Sequence, residues 1–236
     1  VPHNGKIAST IVANAHKHGV RVIAYDRMIR DCDLDLYVSF DNERIGEMQA
    51  EYIVNKTPHG NYILIAGSPA DNNALLYHEG QMKILQQYID SGFIKIIADQ
   101  WATDWQPMEA MKHVENALTK EKNITAIVAS NDGTASGAIQ ALQEQKLDGK
   151  VLVSGQDAEL SACKRVIAGT QSMTVYKPLK LMAEAAAVAA LQVINNEVVS
   201  GAVKIVSNGK KDIPSILIDP IVVDKTNMME TVVKDG

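Results

Sequence analysis

Apolar residues fall into two rhythms along this chain. Short, mostly apolar runs recur at residues 20–25, 61–66, 93–98, 125–129, 150–154 and 172–176. They are bounded by Gly, Asn or Asp, as expected of parallel strands buried on both faces. Between the runs the apolar positions step by three or four. Ile7, Ile11, Val12 and Ala15 form one stripe, and Ile45, Met48, Ala50, Tyr52 and Ile53 form another. Met108, Met111, Val114 and Leu118 form a third behind Pro107, which suits a first helical turn. Ala135, Ala138, Ile139 and Leu142 form a fourth. Gly19, Gly92, Gly149 and Gly169 stand where a helix gives way to a strand, a position that needs positive φ.

This alternation predicts an α/β chain of βαβ units, with parallel sheet flanked by helices and right-handed crossovers. No repeat, low-complexity tract or Pro/Ser-rich linker interrupts it. Residues 212–223 read differently, as an extended segment punctuated by Pro214 and Pro220. Residues 1–5 read as the loop that follows a strand, so the earlier units of the fold are expected outside this sequence.

Composition narrows the function classes. The chain has 236 residues, 46% of them hydrophobic and 22% charged, enough for a sizeable core without disulfides. The net charge of −5, with 23 Lys and Arg, argues against a nucleic-acid surface. The most apolar stretch, 181–194, is interrupted by Glu184 and Gln192 and is too short to span a bilayer. No charged segment followed by an apolar one opens the chain as a signal peptide would. Cys32 and Cys163 are the only cysteines, and no CxxC is present.

The candidate chemistry lies just after the strands, where open α/β sheets bind ligands. Asp26-Arg27, Asp41-Asn42, Asp71-Asn72-Asn73, Asp99 to Trp105, Ser130-Asn131-Asp132, Gln156-Asp157 and Lys177-Pro178 occupy these places. For Asp41, Asp71 and Asp132, capping of the next helix is an equal alternative. Arg27 and Lys177 are not caps, since a cation opposes the dipole at a helix N-terminus. Trp101 and Trp105 read as loop residues, one packed in the core and the other open to a ligand. The set suits a neutral polyol: carboxylates, amides and cations meet hydroxyls, and an indole face covers a sugar ring. A phosphate site would need a Gly-rich loop such as GxGxxG or GxxxxGK[ST], and neither occurs.

Catalytic patterns are missing too. Gly133-Thr-Ala-Ser136-Gly137 places its serine one position late for GxSxG. His78-Glu79 lacks the second histidine of HExxH. Asp31-Cys-Asp33-Leu-Asp35 starts like a calcium loop but has Leu36 and Asn42 where Gly and Glu are required, and reads as a polar turn. No metal, cofactor or enzymatic activity is expected.

The chain resembles type I periplasmic sugar-binding proteins, in particular the D-xylose-binding proteins of bacterial ABC importers. The resemblance is carried by Ala24-Tyr-Asp-Arg-Met-Ile29, Ser39-Phe-Asp-Asn42, Gly67-Ser-Pro-Ala-Asp-Asn-Asn-Ala74, Asp99-Gln-Trp101, Val128-Ala-Ser-Asn-Asp132, Ser154-Gly-Gln-Asp157 and Gly169-Thr-Gln-Ser-Met-Thr-Val-Tyr-Lys-Pro178. It implies two α/β lobes joined by crossing strands that close on a sugar like a hinge. The N-terminal lobe would comprise 1–41 and 179–212, and the C-terminal lobe 42–178 and 213–236 with hinge crossings. The family's first strands and helices have no counterpart here, so the N-terminal lobe is expected to be incomplete.

The resemblance also implies ligands for a pentose in the inter-lobe cleft. Arg27 would serve from the N-terminal lobe, and Asp71 and Asn73 from the C-terminal one. Trp105, rather than Trp101, would stack on the sugar. Asn131 and Asp157 would grip vicinal hydroxyls, with Lys177 near the hinge. The implied function is capture of D-xylose or a related monosaccharide and presentation of the closed form to a membrane partner. That partner would be an ABC permease or the extracellular domain of a sensor histidine kinase. Location would be periplasmic or extracellular, with a lipid anchor in a Gram-positive host as one form. The alternative is the effector domain of a LacI-type sugar-responsive repressor.

Overall fold

The computed structural model describes residues 1, 2 and 4–235. His3, within the expected opening loop, and Gly236 lie outside the described residues. In chain order the elements are α1 (Ser9–Lys17), β1 (Ile23–Tyr25), β2 (Leu36–Phe40), α2 (Asn42–Lys56), β3 (Gly60–Ala66), α3 (Asn72–Asp90), β4 (Ile94–Trp101), α4 (Pro107–Lys120), β5 (Ala126–Ala129) and α5 (Asp132–Glu144). Then come β6 (Leu152–Val153), α6 (Leu160–Ala168), β7 (Thr174–Tyr176), α7 (Leu179–Ile194), β8 (Lys204–Ser207), β9 (Asp212–Ile218) and β10 (Ile221–Val223). They divide into two units. The first is Val1–Asp41, Ala70–Asn73 and Pro178–Asp219; the second is Asn42–Pro69, Ala74–Lys177 and Pro220–Gly236.

The second unit shows most directly how the sequence folds. Its four-stranded sheet runs β4-β3-β5-β6, all parallel, with Tyr62 opposite Ala126 and Gly60 opposite Ile94. A pleated strand sends successive side chains to opposite faces, so a run apolar at every position needs cover on both. Tyr62, Leu64, Ala126 and Val128 pack with Ala50 and Ile53 of α2 and Leu85 of α3. Ile63, Ile65, Ile127 and Ala129 pack with Ala110 and Val114 of α4 and Ala138 and Ile139 of α5. Helices approach closely where glycine removes the side chain. A Cβ on Gly46 would lie 2.0 Å from the Tyr77 carbonyl oxygen, and one on Gly137 would lie 1.9 Å from that of Pro107. Met108 departs from its expected stripe and is exposed, one residue into α4. Trp101 ends β4 rather than sitting in a loop, because the strand runs three residues past the expected stop. Strands β7 and β10 form a separate antiparallel pair, Tyr176 opposite Ile221.

The first unit carries a mixed sheet of order β1-β2-β9-β8. Strands β1, β2 and β9 are parallel, and β8 runs antiparallel to β9. Ala8, Val12, Met28, Leu34, Tyr37 and Ile213 form its core. Ile7 and Ile11, expected on the buried stripe, are 72% and 64% exposed, and α1 buries only Val12. Strand β9 belongs to this sheet, whereas the reading of the sequence gave residue 213 onward to the other lobe. Its bonds to β2 and β8 explain the difference. The 31–35 segment is the expected polar turn: the Asp35 carboxylate accepts from the Val22 N–H at 2.7 Å and pairs with His16 at 2.8 Å. Gly19, Gly92, Gly149 and Gly169 all take positive φ as their spacing requires.

Candidate functional site

In the first unit the chain turns sharply after β1. Asp26 takes φ 64°, and its carbonyl accepts from the Tyr37 hydroxyl (2.9 Å), the Ser39 hydroxyl (2.7 Å) and the Asn73 amide (3.2 Å). Three donors on one carbonyl hold the turn from which Arg27 projects. Arg27 Nε lies 2.9 Å from Asp71 Oδ2, and that carboxylate is buried. Asp71 Oδ1 accepts from the Asn73 N–H at 3.0 Å. Asp71 therefore closes the first turn of α3 and pairs with arginine at once, so capping accounts for one of its two oxygens. Asn73 Oδ1 is buried and has no hydrogen-bond partner among the described residues. A buried acceptor without a donor is costly, so a donor brought to it would be held favourably. Asp71 and Asn73 were expected with the C-terminal lobe. They belong to the first unit, because Asp71 bonds Arg27, Asn72 bonds Arg30 at 2.9 Å, and Asn73 bonds Asp26.

In the second unit Trp105, Asn131 and Asp157 follow the carboxyl ends of β4, β5 and β6. Trp105 is placed by its backbone. Asp104 and Trp105 take φ 51° and 60° in the short turn Thr103–Trp105, and the Ala102 N–H donates to the Ala66 carbonyl at 3.0 Å. The indole therefore folds back over the end of β3. A Cβ on Gly67 would lie 2.1 Å from this ring, so glycine is what admits it. Tyr77 meets it edge-on at 6.2 Å. Trp101 lies instead against the His78 ring at 5.3 Å.

Asn131 is the N-cap of α5. Its Oδ1 accepts from the Thr134 N–H at 2.8 Å in a reciprocal capping box. Asp132, expected as a cap candidate, is the first residue of the helix and is wholly buried. Its oxygens accept from Gln171 Nε2 at 2.7 Å, the Thr174 hydroxyl at 2.9 Å and the Glu159 N–H at 3.0 Å. Burial pushes its carboxyl up to about 7, and the nearby Asp157 charge adds to that, against these hydrogen bonds. Asp157 takes φ 102°, and its Oδ1 lies 2.7 Å from Lys177 Nζ, where β7 ends. The structure thus brings Arg27, Asp71 and Asn73 together in one unit, and Asp157 and Lys177 together in the other.

Sequence reasoning missed Asp132 as a network centre, and missed Gly67 and Gly155, whose absent side chains make room for Trp105 and Asp132. The Asn131-Asp132 doublet was the available signal. Among the described residues no cluster of His, Cys, Asp and Glu is suited to a metal, and no helix is long and apolar enough to cross a membrane.

Residues 1–197 match the periplasmic binding protein domain family. The chain is 54% identical to the D-xylose-binding periplasmic protein of Escherichia coli over 237 residues, covering 100% of this chain and 72% of that protein. It is 34% identical to the multiple sugar-binding periplasmic receptor of Rhizobium radiobacter, covering 99% and 72%. A carbohydrate transporter solute-binding protein from Chloroflexus aurantiacus, solved with D-glucose, superposes with a TM-score of 0.93 at 31% identity. The match covers 100% of this chain and 77% of that one.

Proposed function

The chain belongs to the periplasmic binding protein family, with its type I fold of parallel sheets and flanking helices, and from that premise we propose that it is a non-enzymatic receptor for D-xylose or a close pentose. Arg27, Asp71 and Asn73 of the first unit, and Trp105, Asn131, Asp157 and Lys177 of the second, are its sugar ligands. The observation that carries this reading is the use of two cation–carboxylate pairs, Arg27–Asp71 and Lys177–Asp157, at strand ends. Each pair offers fixed donors beside fixed acceptors, which is what two neighbouring hydroxyls on a ring require, since each hydroxyl both gives and takes a hydrogen bond. The orphan Asn73 Oδ1 adds an acceptor awaiting a donor. Asn131 spends its carbonyl oxygen on the α5 cap, so its Nδ2 is the atom left for a sugar oxygen. Trp105 supplies the apolar face.

On this reading the protein works outside the cytoplasmic membrane and delivers its sugar-loaded form to an ABC permease, the alternative partner being the extracellular domain of a sensor histidine kinase. Titration calorimetry with D-xylose tests the ligand set. The wild type should bind, Asp157→Ala should bind far more weakly, and Trp105→Ala should lose about 1–3 kcal/mol. Binding like the wild type by both variants would remove the assignment.

A further inference from the structure

Asp132 is not among the proposed sugar ligands, yet its bonds gather around the loop that carries one of them. Its N–H donates to the Gln156 carbonyl at 2.9 Å. Its Oδ2 accepts from the Glu159 N–H at 3.0 Å and from the Thr174 hydroxyl at 2.9 Å. Thr174 Oγ1 in turn accepts from the Ala158 N–H at 3.1 Å. Its Oδ1 accepts from Gln171 Nε2 at 2.7 Å, and Gly155 leaves the space for that pair. A Cβ there would lie 2.1 Å from Asp132 Oδ1 and 2.4 Å from Gln171 Nε2. Within this frame Asp157 and Ala158 hold φ 102° and 52°. Residues with a Cβ resist that region, and they persist in it only where their surroundings over-determine the backbone.

We infer that Asp132 is a positioning residue for sugar capture: in its ionised form it holds the left-handed turn at 157–158 that aims Asp157 at the ligand. The inference rests on the proposed role of Asp157. Three donors converge on the Asp132 carboxylate. Protonation turns one acceptor oxygen into a donor, and the Glu159 N–H is fixed in the backbone and cannot reverse. A protonated Asp132 keeps its Thr174 contact only by reversing it, and its hydroxyl oxygen then accepts the Glu159 N–H more weakly, so its hold on the loop loosens.

The groups around it are few. The Asp157 carboxylate lies on the loop, with Lys177 beside it at 2.7 Å. From α6, Arg165 Nη2 donates to the Asp132 carbonyl at 3.0 Å, and the Cys163 thiol is pushed up by burial first and then by the nearby Asp132 charge. Burial and Asp157 bring the Asp132 carboxyl into the neutral range, at about 7. By reciprocity, a sugar that prefers the ionised state releases a proton as it binds.

The test is the D-xylose Kd of the wild type, Asp132→Asn, Thr174→Val and Asp157→Asn between about pH 8.5 and about pH 5.5. The wild-type Kd should rise about tenfold as pH falls across this range, as charge-assisted bonds weaken to neutral ones. Asp132→Asn should stay at the weak value with no slope, and Thr174→Val should bind more weakly throughout. A flat wild-type profile, or an Asp132→Asn variant that keeps both affinity and slope, overturns the inference. Should Asp132→Asn fail to fold, Thr174→Val and the wild-type profile decide: neither loss nor slope overturns it. Asp157→Asn binding like the wild type at every pH overturns the site reading itself, which separates the two failures.

Discussion

The two units bury their strands in different ways. In the second, β3 and β5 are covered on both faces, and the helices that cover them cross at glycines. In the first, a mixed sheet has a core on α1 and a long Ala-rich helix, α7, that buries Met182, Ala189 and Val193 but leaves Leu181, Leu191 and Ile194 exposed. The polar residues follow the same division. Asp157 sits on a loop stitched to a buried carboxylate network. Arg27 projects from a turn held by three donors on the Asp26 carbonyl and pairs with the buried Asp71. A strand end is a precise platform only as far as the layers behind it are closed.

Three substitutions test this contrast. Gly137→Ala puts a Cβ against the Pro107 carbonyl between α4 and α5, and should cost about 2–3 kcal/mol of unfolding free energy. Denaturant titration reads it, and a cost below about 0.5 kcal/mol would mean the helices have room to part. Next is the pH dependence of stability. The Asp132 carboxyl is raised from 3.8 to about 7 on folding, so the folded state holds the proton more tightly than the unfolded one. Its contribution is complete below about pH 4 and is lost as pH rises towards 7. Wild-type stability should carry this downward slope, and Asp132→Asn should lack it; equal slopes would place the titration elsewhere. The smallest effect belongs to α7. Leu191 is 64% exposed, so Leu191→Gln should stay within about 0.5 kcal/mol of the wild type. A melting shift equivalent to about 2 kcal/mol would show that face to be covered in solution.

The alternation of buried runs and stepped stripes was enough to read the second unit's layers, because alternate residues of 62–65 and 126–129 serve opposite faces. It failed where burial is partial. Strand β8 is mostly exposed, and its Ile205-Val206 pair is too short to stand out as a buried run. Ile7 and Ile11 keep helical spacing without a partner surface among the described residues. At the candidate site, the positions after the strands were legible, since polar residues end nearly every apolar run. The placing of their side chains was not. Trp105 and Asp157 depend on positive φ at non-glycine residues, which residue type does not announce. Which member of Asn131-Asp132 caps and which is buried depends on a one-residue shift in where α5 starts.

The fit of Trp105 against Gly67 also constrains the order in which this site can change. The volume a side chain would need at 67 is already filled by the indole, and the indole stands where two consecutive backbone torsions put it. A larger residue at 67 has to displace the indole, whereas a smaller residue at 105 meets no obstacle. A side chain at 67 and the indole at 105 thus compete for one volume, and enlarging the first is accepted more readily once the second has shrunk.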